Sequence, residues 1–209
     1  MNYELAYRFG FHPWESALDN DEFIETITAL FEEVEAGRER PFGRALDVGT
    51  GSGIWGVELA KRGWDVVGID IVERVLSRAR ERAEAARVEL AFVHGDVTDL
   101  SNAQLDGEFH LFLDTGTYHG LDADERAAYG REIDTVAAPD ATILLLAWEP
   151  RRRGPLPTGA TRGELEEMFP DWTVTDLGPT SFEAPKPVEL IASPNEHWYR
   201  LRRKSESAT

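Results

Sequence analysis

Apolar residues recur at helical spacing from Asp21 onward: Phe23, Ile24, Ile27, Leu30, Phe31 and Val34. This predicts an amphipathic helix that Asp19 or Asn20 can cap and Gly37 can end. Beyond it, short apolar runs alternate with longer mixed stretches. Residues 44–48, 65–69, 88–93, 109–113 and 141–148 read as strands. Residues 54–62, 73–87 and 123–136 read as helices set among them. The unbroken hydrophobicity of 141–148 predicts a strand buried on both faces. A short helix over 164–169 and two closing strands, 172–177 and 197–202, flank a segment punctuated by Pro179, Pro185, Pro187 and Pro194. Such alternation predicts an α/β fold, doubly wound, with a mostly parallel sheet. Ligands of these folds sit outside the carboxyl ends of the strands.

The residues that follow each strand therefore matter. After the first comes Asp47-Val48-Gly49-Thr50-Gly51-Ser52-Gly53. Glycines let backbone turn tightly against a ligand, and the next helix points its free N–H groups there. The spacing is G-x-G-x-G, with Ile54 where a dinucleotide fingerprint requires glycine. Asp47 ahead of the loop would repel a pyrophosphate and suits a cationic ligand. After the second strand, Asp70 can accept both hydroxyls of a ribose, and Ile71 can pack on a purine. After the third, Asp96 and Val97 follow Gly95, and Asp96 can accept from a purine amino group. Taken singly, each of these acids is as readily a turn or helix-cap residue.

In order and spacing, ALDVGTGSGIWGVELAKRG, VVGIDIVERVL, FVHGDVTDL and FHLFLDTGTYHGL resemble the successive motifs of class I methyltransferases, over about residues 42–150. The resemblance implies a Rossmann-like sheet of seven strands, the last antiparallel and inserted beside the fifth. It implies S-adenosylmethionine as cofactor, S-adenosylhomocysteine as product, and a cofactor site of Asp47, Gly49, Thr50, Gly51, Gly53, Asp70, Ile71, Asp96, Val97 and Asp114. Residues 1–40 would form an N-terminal lid and helix, 41–204 the methyltransferase domain, and 205–209 a polar tail, all in one globular unit.

The stretch after the fourth strand, Asp114-Thr115-Gly116-Thr117-Tyr118-His119, occupies the place that faces the methyl group in this family. It lacks the Asn/Asp-Pro-Pro-Tyr motif of amide amino-methyltransferases and the Asp-Asn pair of catechol-type magnesium sites. It looks instead like small-molecule methyltransferases of the thiopurine, halide/thiol and tellurite-resistance groups. Phe11-His12-Pro13-Trp14-Glu15 is similar to the Pro-Trp-Asp element that those enzymes lay over the cofactor, with Glu15 where Asp is usual. Trp14 is thus a cofactor-covering candidate, or, with Tyr7, a staple that ties the arm to the core. Tyr7, His12, Thr115, Tyr118, His119 and Trp148 are candidates for the acceptor pocket, and Trp148 reads equally as core packing. His119 is the candidate general base, since a histidine titrates near neutrality; it reads as well as a cap of the next helix. The gly- and pro-rich run 151–161 reads as a loop over the pocket mouth.

Composition narrows the partners. The 209-residue chain carries a net charge of −17, which disfavours nucleic acid; the short basic runs 151–153 and 202–204 read as solvated charge. It contains no cysteine, and its histidines and carboxylates show no metal-ligand spacing, so no metal is expected. No signal peptide or membrane-length apolar run appears. The expectation is a cytoplasmic enzyme, monomeric or weakly dimeric, that methylates O, S or N of a small, aromatic or heterocyclic molecule. The alternatives are a thiol, halide or metalloid methyltransferase that needs no base, and an S-adenosylmethionine-binding protein without catalysis.

Overall fold

The computed structural model describes residues 20–103, 105–150, 159–180 and 196–204. Helix α1 spans Asp21–Glu35, and the Asn20 side chain caps it by accepting the Phe23 amide at 3.0 Å. Helix α2 (Ile54–Arg62) starts after Gly53 and stops at Gly63, both left-handed. Helix α3 spans Glu73–Ala86. Helices α4 (Ala123–Val136) and α5 (Arg162–Met168) each open on a capping box, Asp122 with Glu125 and Thr161 with Glu164.

Seven strands form one sheet: β1 (Arg44–Val48), β2 (Asp65–Asp70), β3 (Ala91–His94), β4 (Phe109–Asp114), β5 (Ala137–Trp148), β6 (Trp172–Thr180) and β7 (Glu196–Arg203). Their order is β3-β2-β1-β4-β5-β7-β6. Strands β1 to β5 pair in parallel, while β7 runs antiparallel between β5 and β6. The doubly wound α/β expectation holds, with the sheet mixed through β7. The strand order reverses at β1, so the ends of β1 and β4 flank a crevice open to a ligand.

Both faces of the sheet are covered. Phe23, Ile27, Leu30, Phe31 and Val34 of α1 pack with Leu59 of α2 on Leu111, Leu113, Leu144, Leu146 and Trp198. Tyr129, Ile133 and Val136 of α4 and Leu165 of α5 pack on Phe112, Ile143, Leu145, Tyr199 and Leu201. Alternate residues of β5 thus feed opposite cores, which is why that strand is apolar throughout. The described part of the N-terminal segment is a core helix. The lid expected ahead of it lies outside the described residues.

Several boundaries differ from the sequence reading. The α3 helix ends one residue sooner because Arg87 turns left-handed at φ 55°. The Val88 amide then closes back on the Ala83 carbonyl at 3.2 Å, so β3 begins only at Ala91. Strand β5 begins at Ala137, ahead of its apolar run. Its pairing slips between Phe109 and Leu111, beside Pro139, which has no N–H for the ladder. Strand β6 runs on to Thr180, past a register shift between Asp176 and Gly178.

Candidate active site

The loop between β1 and α2 is shaped by carboxylates. Gly49, Gly51 and Gly53 all have positive φ, at 64°, 54° and 76°. At Gly49 a side chain is excluded twice over, because a Cβ would also stand 1.9 Å from the Thr117 hydroxyl. Asp47 is 2% exposed and accepts the Thr50 hydroxyl at 2.6 Å and the Gly56 amide. Burial pushes its carboxyl up to about 7, with the negative charges of Asp70 and Asp114 adding and the hydrogen bonds opposing. At the end of β2, Asp70 accepts the Gly51 amide through one oxygen and the Val72 amide through the other, each at 2.9 Å. Burial raises its pKa, and these two bonds and His94 pull the other way.

Ile71, next to that acid, is 58% exposed and the one large apolar side chain left exposed among the described residues. After β3, Asp96 is exposed and accepts both the amide and the hydroxyl of Thr98 through one oxygen, while Val97 is buried.

Asp114 and Tyr118 serve the scaffold. The Asp114 carboxyl is wholly buried and accepts the amides of Gly116, Thr117 and Tyr118 at 2.7–3.0 Å, and the Tyr129 hydroxyl at 3.1 Å. Its burial lifts the pKa to about 6 against those four donors. Expected at the cofactor, it instead folds the loop after β4. Tyr118, expected at the acceptor, has no exposed surface and packs edge-on against Tyr129 with ring centroids 5.5 Å apart. Thr117 crosses to β1, its hydroxyl donating to the Val48 carbonyl at 3.2 Å. Thr115 lies half-buried on the same loop.

Beyond this loop the site turns aromatic. His119 stands in a 3-10 turn (Tyr118–Gly120) and stacks on Trp148 at the end of β5, with centroids 4.9 Å apart and planes at 27°. The Trp148 indole donates to Glu196 at 2.8 Å, directly across the β5–β7 ladder. Glu196 is 6% exposed, and burial pushes it up to about 7. Arg126 of α4 ties the surroundings together: it donates to the carbonyls of His119, Leu121 and Gly159 and pairs with Glu164 at 3.4 Å.

The sheet thus gathers Asp47, Gly49, Thr50, Gly51, Gly53, Asp70, Ile71, Thr115, His119 and Trp148 at its carboxyl edge. Tyr7, His12 and Trp14, and residues 151–158 of the predicted loop, lie outside the described residues. Glu196 escaped the sequence reading. Its signal was its phase, since it shares a strand face with the buried Trp198 two positions on.

Residues 45–140 match the family model for the methyltransferase domain. The chain is also 31% identical over 179 residues to the 2-heptyl-1-hydroxyquinolin-4(1H)-one methyltransferase of Mycobacteroides abscessus, covering 82% of this chain and 73% of that protein. The chain belongs to the class I S-adenosylmethionine-dependent methyltransferases. A shorter match, 34% identical over 88 residues, is to a putative methyltransferase of Geobacillus; it covers 42% of this methyltransferase and 36% of that protein. Two solved structures share its fold. One is the 1,6-didemethyltoxoflavin-N1-methyltransferase of Burkholderia thailandensis, with TM-score 0.69, 22% identity, and coverage of 98% of this chain and 86% of that one. The other is the N-methyltransferase NodS of Bradyrhizobium japonicum, with TM-score 0.69, 17% identity, and coverage of 92% of both chains.

The residues at the ends of β1 and β2 fit the cofactor of this methyltransferase family. Each oxygen of Asp70 has given one lone pair to an amide and keeps another for a hydroxyl. The exposed Ile71 beside it supplies an apolar surface for a base. Among the described residues no three histidines or acids cluster as metal ligands, and no helix is long and apolar enough to cross a membrane.

Proposed function

We propose that this methyltransferase acts on a small, flat aromatic heterocycle, at a ring hydroxyl or ring nitrogen. The observation that carries this is the His119–Trp148 stack, 4.9 Å between centroids, at the carboxyl ends of β4 and β5. Trp148, the half-buried member of that pair, offers a flat molecule a surface to lie against, with the buried His119 ring behind it. The Mycobacteroides relative supports the reading, since its named acceptor is a hydroxyquinolinone.

In this reading the Asp70 carboxylate takes the cofactor's ribose hydroxyls and Ile71 covers the adenine. Asp96 accepts from the adenine amino group, and the Gly49–Gly53 backbone lets the amino-acid end approach. S-adenosylmethionine supplies an electrophilic methyl group on a sulfonium. The chain's own part is to align the acceptor atom with that methyl and to keep water away. His119 and Trp148 hold the ring plane, and Thr115 borders the acceptor. Tyr7, His12 and Trp14 are proposed to complete the pocket. No metal is needed, and the partner is the small acceptor rather than nucleic acid or membrane.

The test is a panel of hydroxyquinolones, phenols, N-heterocycles, thiols and halides, read by release of S-adenosylhomocysteine. Turnover confined to thiols and halides would overturn the aromatic-acceptor reading.

A further inference from the structure

Of the two Glu196 oxygens, one takes the Trp148 indole N–H at 2.8 Å. The other, Oε2, is buried with no hydrogen-bond partner. A carboxylate oxygen removed from water and left unmatched is costly, and buried polar atoms in folded proteins are nearly always paired. Packing alone gives no reason to keep an acid at this position. The Trp148 indole could be satisfied by a neutral amide as well.

The location supplies a reason. Glu196 opens β7 opposite Trp148, the last residue of β5. Trp148 in turn carries His119 on its face. The carboxylate that carries the unmatched oxygen is thus one hydrogen bond from the aromatic pair against which the acceptor is proposed to lie. We propose that Glu196 Oε2 accepts the hydrogen of the acceptor's O–H or N–H and takes that proton as the methyl group arrives. The inference rests on the aromatic-acceptor reading above.

The acceptor oxygen or nitrogen forms its bond to the methyl carbon, and the methyl–sulfur bond breaks with its electron pair left on sulfur. The electrons of the O–H or N–H bond stay on the acceptor atom, and the proton passes to Oε2 and then to solvent. A base whose pKa lies near the working pH suits this task, and Glu196 sits at about 7 through burial, with the Trp148 bond opposing. The titratable groups on the neighbouring elements are His119 behind Trp148, Glu149 after β5, and the His197–Asp176 pair, 3.2 Å apart, on β7 and β6. The causes that set the Glu196 pKa include none of them.

The decisive variant is Glu196→Gln, which keeps an oxygen for the Trp148 indole and removes the base. It should keep the wild-type circular dichroism and S-adenosylhomocysteine affinity. Its kcat/KM on a ring-hydroxyl acceptor should fall by about 10²-fold or more, and the limb of the pH profile near 7 should vanish. Thiol acceptors, which attack as anions already present in water, should lose little.

A second readout needs no turnover. With S-adenosylhomocysteine bound, calorimetry of a neutral 4(1H)-quinolone should show roughly tenfold tighter binding at about pH 8 than at about pH 6, because its N–H favours the ionised acid. In Glu196→Gln that dependence should be flat. Binding that is equally flat in the wild type, or a Gln variant within about threefold of wild-type turnover, overturns the proposal and leaves Glu196 as an anchor for Trp148. If flat heterocycles are neither bound nor methylated, the aromatic-acceptor reading falls first and this proposal with it.

Discussion

Asp70 accepts the Gly51 amide at 2.9 Å, so the acid that ends β2 shapes the glycine loop that follows β1. The carboxylate is 8% exposed and also holds the Val72 amide. The loop's conformation and the proposed ribose contact thus depend on one side chain.

Asp70→Ala should therefore weaken S-adenosylhomocysteine binding by at least about tenfold, since charge-assisted bonds of roughly 1.5–3 kcal/mol are lost. Asp70→Asn should recover part of the loss, because its amide oxygen can still accept one backbone N–H. Calorimetry of the three proteins checks this, and unchanged affinity in the alanine variant would remove Asp70 from the site.

Gly49→Ala should cost at least about 2 kcal/mol, from a left-handed residue and the collision with Thr117. The melting temperature should drop by roughly 4–8 °C. Cofactor binding should suffer as well, because the loop after β4 must shift to make room. A melt within a degree or so of wild type would show that the loop relaxes freely.

Stability should fall as pH rises. Asp47 is held at about 7 in the folded chain, against about 4 for an exposed aspartate. Between those values the folded state binds more protons than the unfolded state. The stability linked to this group is therefore full below about pH 4 and lost as pH climbs through about 7. Asp114, held at about 6, and Glu196, held at about 7, act in the same direction. Asp47→Asn keeps an acceptor for Thr50 and should flatten the decline in melting temperature between about pH 5 and pH 8. An unaltered slope would mean that another group titrates.

His119→Ala should mainly raise KM for aromatic acceptors, by about tenfold, while the affinity for S-adenosylhomocysteine holds. The neutral limb of the pH profile should persist, because the base proposed above is Glu196. A loss of about 10²–10⁴ in kcat, with the limb gone near the histidine pKa, would transfer the role to His119.

Turnover should survive EDTA. Among the described residues no ligand set for a metal is assembled. Activity abolished by chelation and restored by magnesium would sink the metal-free mechanism.

What was legible in the chain followed from local chemistry. The glycine run with Asp47 and Asp70 could be read because strand ends and positive-φ positions are marked by their residue types. Asp114 looked like a ligand contact because its four donors are backbone amides and a distant tyrosine, which no pattern displays. Tyr118 and His119 both turn inward in the 3-10 turn, Tyr118 onto Tyr129 and His119 onto Trp148, which local sequence does not display. Glu196 was missed for a different reason. Its partner is 48 residues away, across an antiparallel pairing that strand–helix alternation does not reveal.

Arg126 draws together carbonyls from the stretch that bears His119 and from Gly159, the residue before the run that leads into α5. Two segments far apart in sequence are moored to a single guanidinium, so neither can drift alone. Efforts to broaden acceptor scope should therefore meet epistasis: a change near His119 that is harmful by itself can become neutral once the stretch around Gly159 has adjusted. Libraries that vary both segments together should reach acceptors that stepwise substitution would miss.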